Sequence, residues 1–206
     1  MRVSYFNTPP VVKNLVIANC VIYLAVTLIP VVNRFCAEHL QLWWSNMPYA
    51  PQFHSYQFVT YMFLHGGFAH LFSNMFALWM FGRTLEYELG SQRFLTYYMV
   101  CGIGAALIQI GVASLLGENL TLVGASGAVF GLLLAFGVMH PNNMIYIIPL
   151  PFPIKAKWFV AGYAVLEILL GWSPINTGVA HFAHVGGMLW GLALLLWWRK
   201  RGKIWF

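Results

Sequence analysis

Six stretches of this chain, residues 14–33, 67–82, 94–116, 122–139, 157–173 and 179–198, stay apolar for close to the thickness of a bilayer's hydrocarbon core. A helix crosses that core in about 20 residues, with a working range of ~17 to 25, and in lipid each backbone N–H must find its carbonyl within its own segment. The pattern therefore predicts an all-α membrane protein, a bundle of six transmembrane helices. Only 8% of the 206 residues are charged and 60% are hydrophobic, with a mean hydropathy of +0.72, which excludes an ordinary soluble domain. Nine Trp and ten Tyr suit rings anchored at both membrane interfaces.

Between the first two spans, residues 34–66 carry Trp43, Trp44, Pro48 and Pro51. This segment is too interrupted to span and too apolar to float free, so a long loop lying partly in the interface is expected. No repeat or linker divides the chain, and 1–206 reads as one domain. The first span follows PPVVKN and lacks a small-residue cleavage site, so it reads as a retained helix and not a signal peptide.

Orientation follows from the basic residues, which cytoplasmic loops retain. With both termini cytoplasmic, Arg2, Lys13, Arg83, Arg93, Lys155, Lys157, Arg199, Lys200, Arg201 and Lys203 all fall inside, and only Arg34 falls outside. The formal charge of +6 is thus a topology signal dispersed around apolar segments, not a nucleic-acid surface. Cys20, Cys36 and Cys101 form no CxxC and signal neither a disulfide framework nor a thiolate metal site.

Polar residues inside a bilayer are costly and mark functional sites. In the expected topology the second, fourth and sixth spans all run inward, and each carries such residues near its outer end. Ser126, in VGASGAVFG, lies ~6 to 8 Å below the start of the fourth span at 1.5 Å per residue. His184, in AHFAHVGGMLWG, lies ~8 to 9 Å below the start of the sixth. His70 and Asn74, in AHLFSNMF, share one face of the second. The small-xxx-small pairs Gly127/Gly131 and Gly187/Gly191 allow the fourth and sixth helices to approach closely. A serine hydroxyl becomes a nucleophile once a base takes its proton, and His suits that task near neutrality. Ser126 and His184 are a candidate dyad; His70, Asn74 and the Ser126 backbone N–H are candidate oxyanion donors. The chain contains no Asp, which excludes a Ser-His-Asp triad. Glu167, the only carboxylate inside a span, either orients His184 or packs laterally.

FLHGGFAHLFSNMFALWMFG, LEYELGSQRF, GASGAVFG and AHFAHVGGMLWG together resemble the rhomboid family of intramembrane serine proteases, across residues 60–191. The resemblance implies Ser126 as nucleophile, His184 as general base, and His70 with Asn74 stabilising the oxyanion. His65 matches a His that often precedes that pair. Glu86 and Gly90 match a structural turn between the second and third helices. Phe130 stands where a Tyr often stacks under the catalytic His. Tyr56 and Gln57 replace the Trp-Arg that some members carry in the first loop. Glu167 falls near a position where an aromatic residue can face the second helix at a substrate gate, which the resemblance places between the second and fifth helices.

The implied activity is cleavage of a peptide bond in or near a transmembrane segment of a membrane-protein substrate. The site opens to the outer side of the membrane, a bacterial inner membrane on the evidence of the compact layout. No cofactor, metal or nucleic acid is required; the partners are the substrate and membrane lipids. SPINTGV is expected to form a cap, with Gly171, Pro174 and Gly178 letting it move. His181 could face the same cavity as His184 in a structural or water-positioning part. Two other readings are a metal site built from His65, His70, His181 and His184, and a non-catalytic binder of membrane helices. The first lacks HExxH, and the second is typical of relatives that have lost the Ser or the His.

Overall fold

The computed structural model describes residues 8–146, 152–173 and 178–204. Arg2 and Pro174, with most of SPINTGV, lie outside the described residues. Helices occupy all six expected places. Helix α1 spans Pro10–Leu28. Pro10 suits its first position, where the missing N–H would have had no partner. The helix ends at Leu28 and not at 33, because Pro30 disfavours helical geometry in the residue before it and Ile29 is extended.

The segment expected as a loop is more ordered than predicted. Helix α2 (Pro30–Phe35) runs from the expected first span into it, followed by a π-helical turn (Cys36–Leu40), strand β1 (Leu42–Trp44) and α3 (Gln57–Thr60). Gln57 is fully buried. Its Oε1 accepts from the backbone N–H groups of Trp43 and His54, and its Nε2 donates to the His39 carbonyl. At the position that departs from the family pattern, a neutral amide ties the segment to itself.

The second place holds α4 (Phe68–Ala77), a π-helical stretch (Leu78–Gly82) and α5 (Arg83–Leu89). Helix α6 (Ser91–Leu116) follows after Gly90, whose φ of 78° makes the turn. Strand β2 (Leu120–Leu122) pairs antiparallel with β1, Leu42 opposite Leu122. The fourth helix, α7 (Ser126–Met139), therefore starts four residues later than expected, because 120–122 are committed to this ladder. A second ladder, β3 (Met144–Ile145) with β4 (Ile154–Lys155), precedes α8 (Ala156–Gly171); α9 (His181–Lys200) ends the bundle.

Helices α6, α7 and α9 form the centre and pack on one another. The largest fully buried side chains include Tyr97, Tyr98, Phe94 and Leu132. Apolar side chains also line the outside, with Ile17, Val21, Leu24 and Leu28 on α1, Phe68, Phe72 and Phe76 on α4, and Val165 and Leu169 on α8 all exposed. Stripes at three- and four-residue spacing that face outward are the arrangement lipid favours and water opposes. Among the described residues, α1 and α6 are long and apolar enough to cross a membrane, and α7 is apolar but shorter.

Candidate active site

Ser126 is the first residue of α7. The chain reaches it through Gly124, whose φ of 118° is poorly accessible to other residues. The Gly124 N–H donates to the Tyr61 carbonyl over 2.9 Å. A Cβ at Gly124 would lie 2.6 Å from His70 Nε2 and 3.7 Å from Asn74 Nδ2, so the missing side chain leaves room for both. Ser126 is thus not buried four residues inside a helix, as the span boundaries implied. It stands at the helix N-terminus, where N–H groups lack intrahelical partners and the helix dipole is positive.

His184 lies in the first turn of α9. Glycines bring that helix against α7: a Cβ on Gly187 would collide with the Gly127 carbonyl, and one on Gly131 would lie 3.1 Å from the Gly187 carbonyl. Likewise, a Cβ on Gly127 would collide with Ala105, and one on Gly191 with the Tyr97 hydroxyl. The Tyr97 hydroxyl donates to the Gly131 carbonyl over 2.9 Å, which fixes α6 to α7 at the same level. Gln109 of α6 accepts from the Ala183 N–H at 2.9 Å and holds the first turn of α9. The sequence reading missed Gln109, although an amide in mid-span was signal enough to ask what it bonds.

With the helices so placed, His184 Nε2 stands 2.9 Å from Ser126 Oγ. The imidazole lies flat on Phe130, with centroids 4.0 Å apart and planes 7° from parallel. Tyr163 of α8 tilts against Phe130, with centroids 5.2 Å apart. The other ring nitrogen, His184 Nδ1, is 2.9 Å from Glu167 Oε2, and His181 Nδ1 is 2.6 Å from that same oxygen. All three residues are buried. Glu167 therefore faces inward onto α9, although the resemblance puts it near a position where an aromatic residue can face the second helix. These three side chains bring ligand-type atoms within 4.8 Å of one another, a set that could also hold a divalent ion. His65 and His70 are not part of that set.

Across the site, Asn74 is buried, and its Nδ2 has no hydrogen-bond partner among the described residues. A buried donor left open costs free energy unless an acceptor arrives. His70 stands one helical turn earlier, and His65, also buried, lies edge-on to it with centroids 5.1 Å apart. Away from the site, Glu86 is 2% exposed and accepts from the N–H groups of Val11 and Val12 at 2.9 and 2.7 Å. The Ser91 hydroxyl donates to the same carboxylate at 2.6 Å. Glu86 thereby closes the N-terminus of α1, a role that the turn between the second and third helices did not by itself suggest.

Residues 52–201 match the Rhomboid domain. The chain is 31% identical over 204 residues to Rhomboid protein 1, mitochondrial, of Saccharomyces cerevisiae, covering 92% of this chain and 54% of that protein. It is 32% identical over 161 residues to Rhomboid-like protein 11, chloroplastic, of Arabidopsis thaliana, covering 68% and 51%. With the Presenilin-associated rhomboid-like protein, mitochondrial, of Bos taurus the identity is 29% over 159 residues, covering 69% and 40%. The chain spans about half the length of these relatives or less.

Proposed function

The chain belongs to the rhomboid family of integral membrane proteins, and from that premise we propose that it is an intramembrane serine endopeptidase working through Ser126 and His184. The observation that carries the reading is the 2.9 Å approach of His184 Nε2 to Ser126 Oγ at the start of α7. His184 Nε2 takes the Ser126 proton as Oγ attacks the scissile carbonyl, whose π electrons move onto oxygen. The resulting oxyanion meets the Ser126 N–H, the open Asn74 amide and the His70 ring, at the positive end of the α7 dipole. Collapse breaks the C–N bond, and the proton passes from Nε2 to the leaving amine. Water then releases the acyl group by the same steps in reverse order.

Six spans with both termini cytoplasmic place this chemistry near the outer face, where a cavity must admit water. A bacterial inner membrane suits the compact layout, while the yeast and Arabidopsis relatives are named as mitochondrial and chloroplastic proteins. The substrate is a transmembrane segment of another membrane protein. It enters between α4 and α8, and α8 packs on α7 and α9 without comparable contact to α4. A helix hides its scissile carbonyl in backbone hydrogen bonds, so small or helix-destabilising residues near the cut favour cleavage.

Labelling with a fluorophosphonate tests whether Ser126 is activated, without needing a substrate. Wild type is expected to form an adduct mapping to Ser126 and Ser126→Ala none; an unlabelled wild type would favour a non-catalytic binder of membrane helices. A second reading rests on the proximity of Glu167, His181 and His184. A divalent ion there would make His184 a ligand in place of a base. Metal analysis together with labelling that survives a chelator would dismiss it.

A further inference from the structure

We infer that Glu167 is the positioning carboxylate of a Ser126–His184–Glu167 relay, and that it holds His181 and His184 as a pair through one shared oxygen. The inference rests on the serine-protease reading and deepens it. Absence of Asp from the sequence left Glu167 either orienting His184 or packing laterally, and the geometry brings its carboxylate to His184 from α8. Glu167 Oε2 lies 2.9 Å from His184 Nδ1, and the opposite nitrogen of that ring lies 2.9 Å from Ser126 Oγ. Serine, imidazole and carboxylate are thus connected in series, with the middle ring clamped face-on by Phe130.

The chemistry of the contact selects one tautomer. An ionised carboxylate only accepts, so Nδ1 must carry the proton, which leaves Nε2 with a free lone pair toward Ser126. That is the form a general base needs. His181 donates to the same oxygen over 2.6 Å, which gives the carboxylate a second donor that does not depend on catalysis. A buried carboxylate without such partners is strongly disfavoured. When the Ser126 proton reaches Nε2, His184 becomes an imidazolium beside a carboxylate that stays ionised; no proton moves to Glu167. The positive charge forms against a fixed negative one, so the interaction strengthens as the transition state is approached. His181 shares the work by keeping Oε2 in place.

A role in packing and a role in positioning order the variants of Glu167 oppositely. Gln matches the shape of Glu, but its amide can donate to Nδ1 and hold the wrong tautomer; Asp is one methylene shorter and keeps the charge. On transmembrane-reporter cleavage in liposomes, Glu167→Gln is expected to lower kcat by about 10²-fold or more with KM little changed, and Glu167→Asp to lose less. The fluorophosphonate labelling rate should fall in the same order. A Gln variant that equals wild type, or that exceeds Asp in both readouts, would overturn the inference. Thermal unfolding in detergent identifies variants that fail to fold. Independently of any change at Glu167, 15N-histidine spectra of the wild type should show His184 protonated at Nδ1 and bare at Nε2, with the signal assigned by its loss in His184→Gln. The reverse tautomer at neutral pH overturns the inference even if no Glu167 variant folds. If Ser126→Ala labels or cleaves like wild type, the fault lies with the serine-protease reading itself.

Discussion

At the scale of single residues, the site depends on what is missing as much as on what is present. Gly124 has no side chain, and the room is taken by the His70 ring and the Asn74 amide. Among the described residues Asn74 Nδ2 is buried without a hydrogen-bond partner, as a donor reserved for a transient acceptor would be. Asn74→Ala should therefore lower kcat by about 10²-fold with KM nearly unchanged, read by steady-state cleavage of a reporter. Equal losses in substrate binding would assign the amide to ground-state recognition. Ser126, His184, His70 and Asn74 were legible in the sequence because polarity inside apolar spans is conspicuous. The contact between Glu167 and His184 was only one of two readings, since the sequence could not show which way α8 turns its carboxylate.

At the scale of elements, the places of all six helices were legible from apolar length, and their ends were not. Where α1 stops depends on Pro30, and where α7 starts depends on the pairing of β1 with β2, whose partners, such as Leu42 and Leu122, are distant in the chain. The later start moves Ser126 from the inside of a helix to its N-terminus, which changes the electrostatics around its hydroxyl. Two glycine-dependent and carboxylate-dependent contacts hold the elements in register. Gly187→Ala would press a methyl group into the Gly127 carbonyl and part α9 from α7. Its expected outcome is a loss of stability of ~1–3 kcal/mol in a denaturation series, together with loss of serine labelling. Glu86→Ala leaves the N–H groups of Val11 and Val12 without their acceptor. It should destabilise the fold by about 1–3 kcal/mol, while any protein that remains folded labels at Ser126 at the wild-type rate.

At the scale of the whole molecule, the outward apolar stripes on α1, α4 and α8 and the buried polar site describe one protein with two solvents. Lipid suits the outside, and the proposed hydrolysis requires water in the middle and an unwound substrate segment brought to that point. In a reporter whose residues flanking the cut are replaced by strong helix formers such as Leu, cleavage should slow severalfold in kcat/KM, and restoring Gly or Pro nearby should recover it. The most direct measurement of the central claim is cleavage of a transmembrane reporter by purified protein in liposomes, comparing wild type with Ser126→Ala. The account predicts one specific cut by wild type and none by a folded Ser126→Ala; cleavage by that variant at the wild-type rate would contradict it.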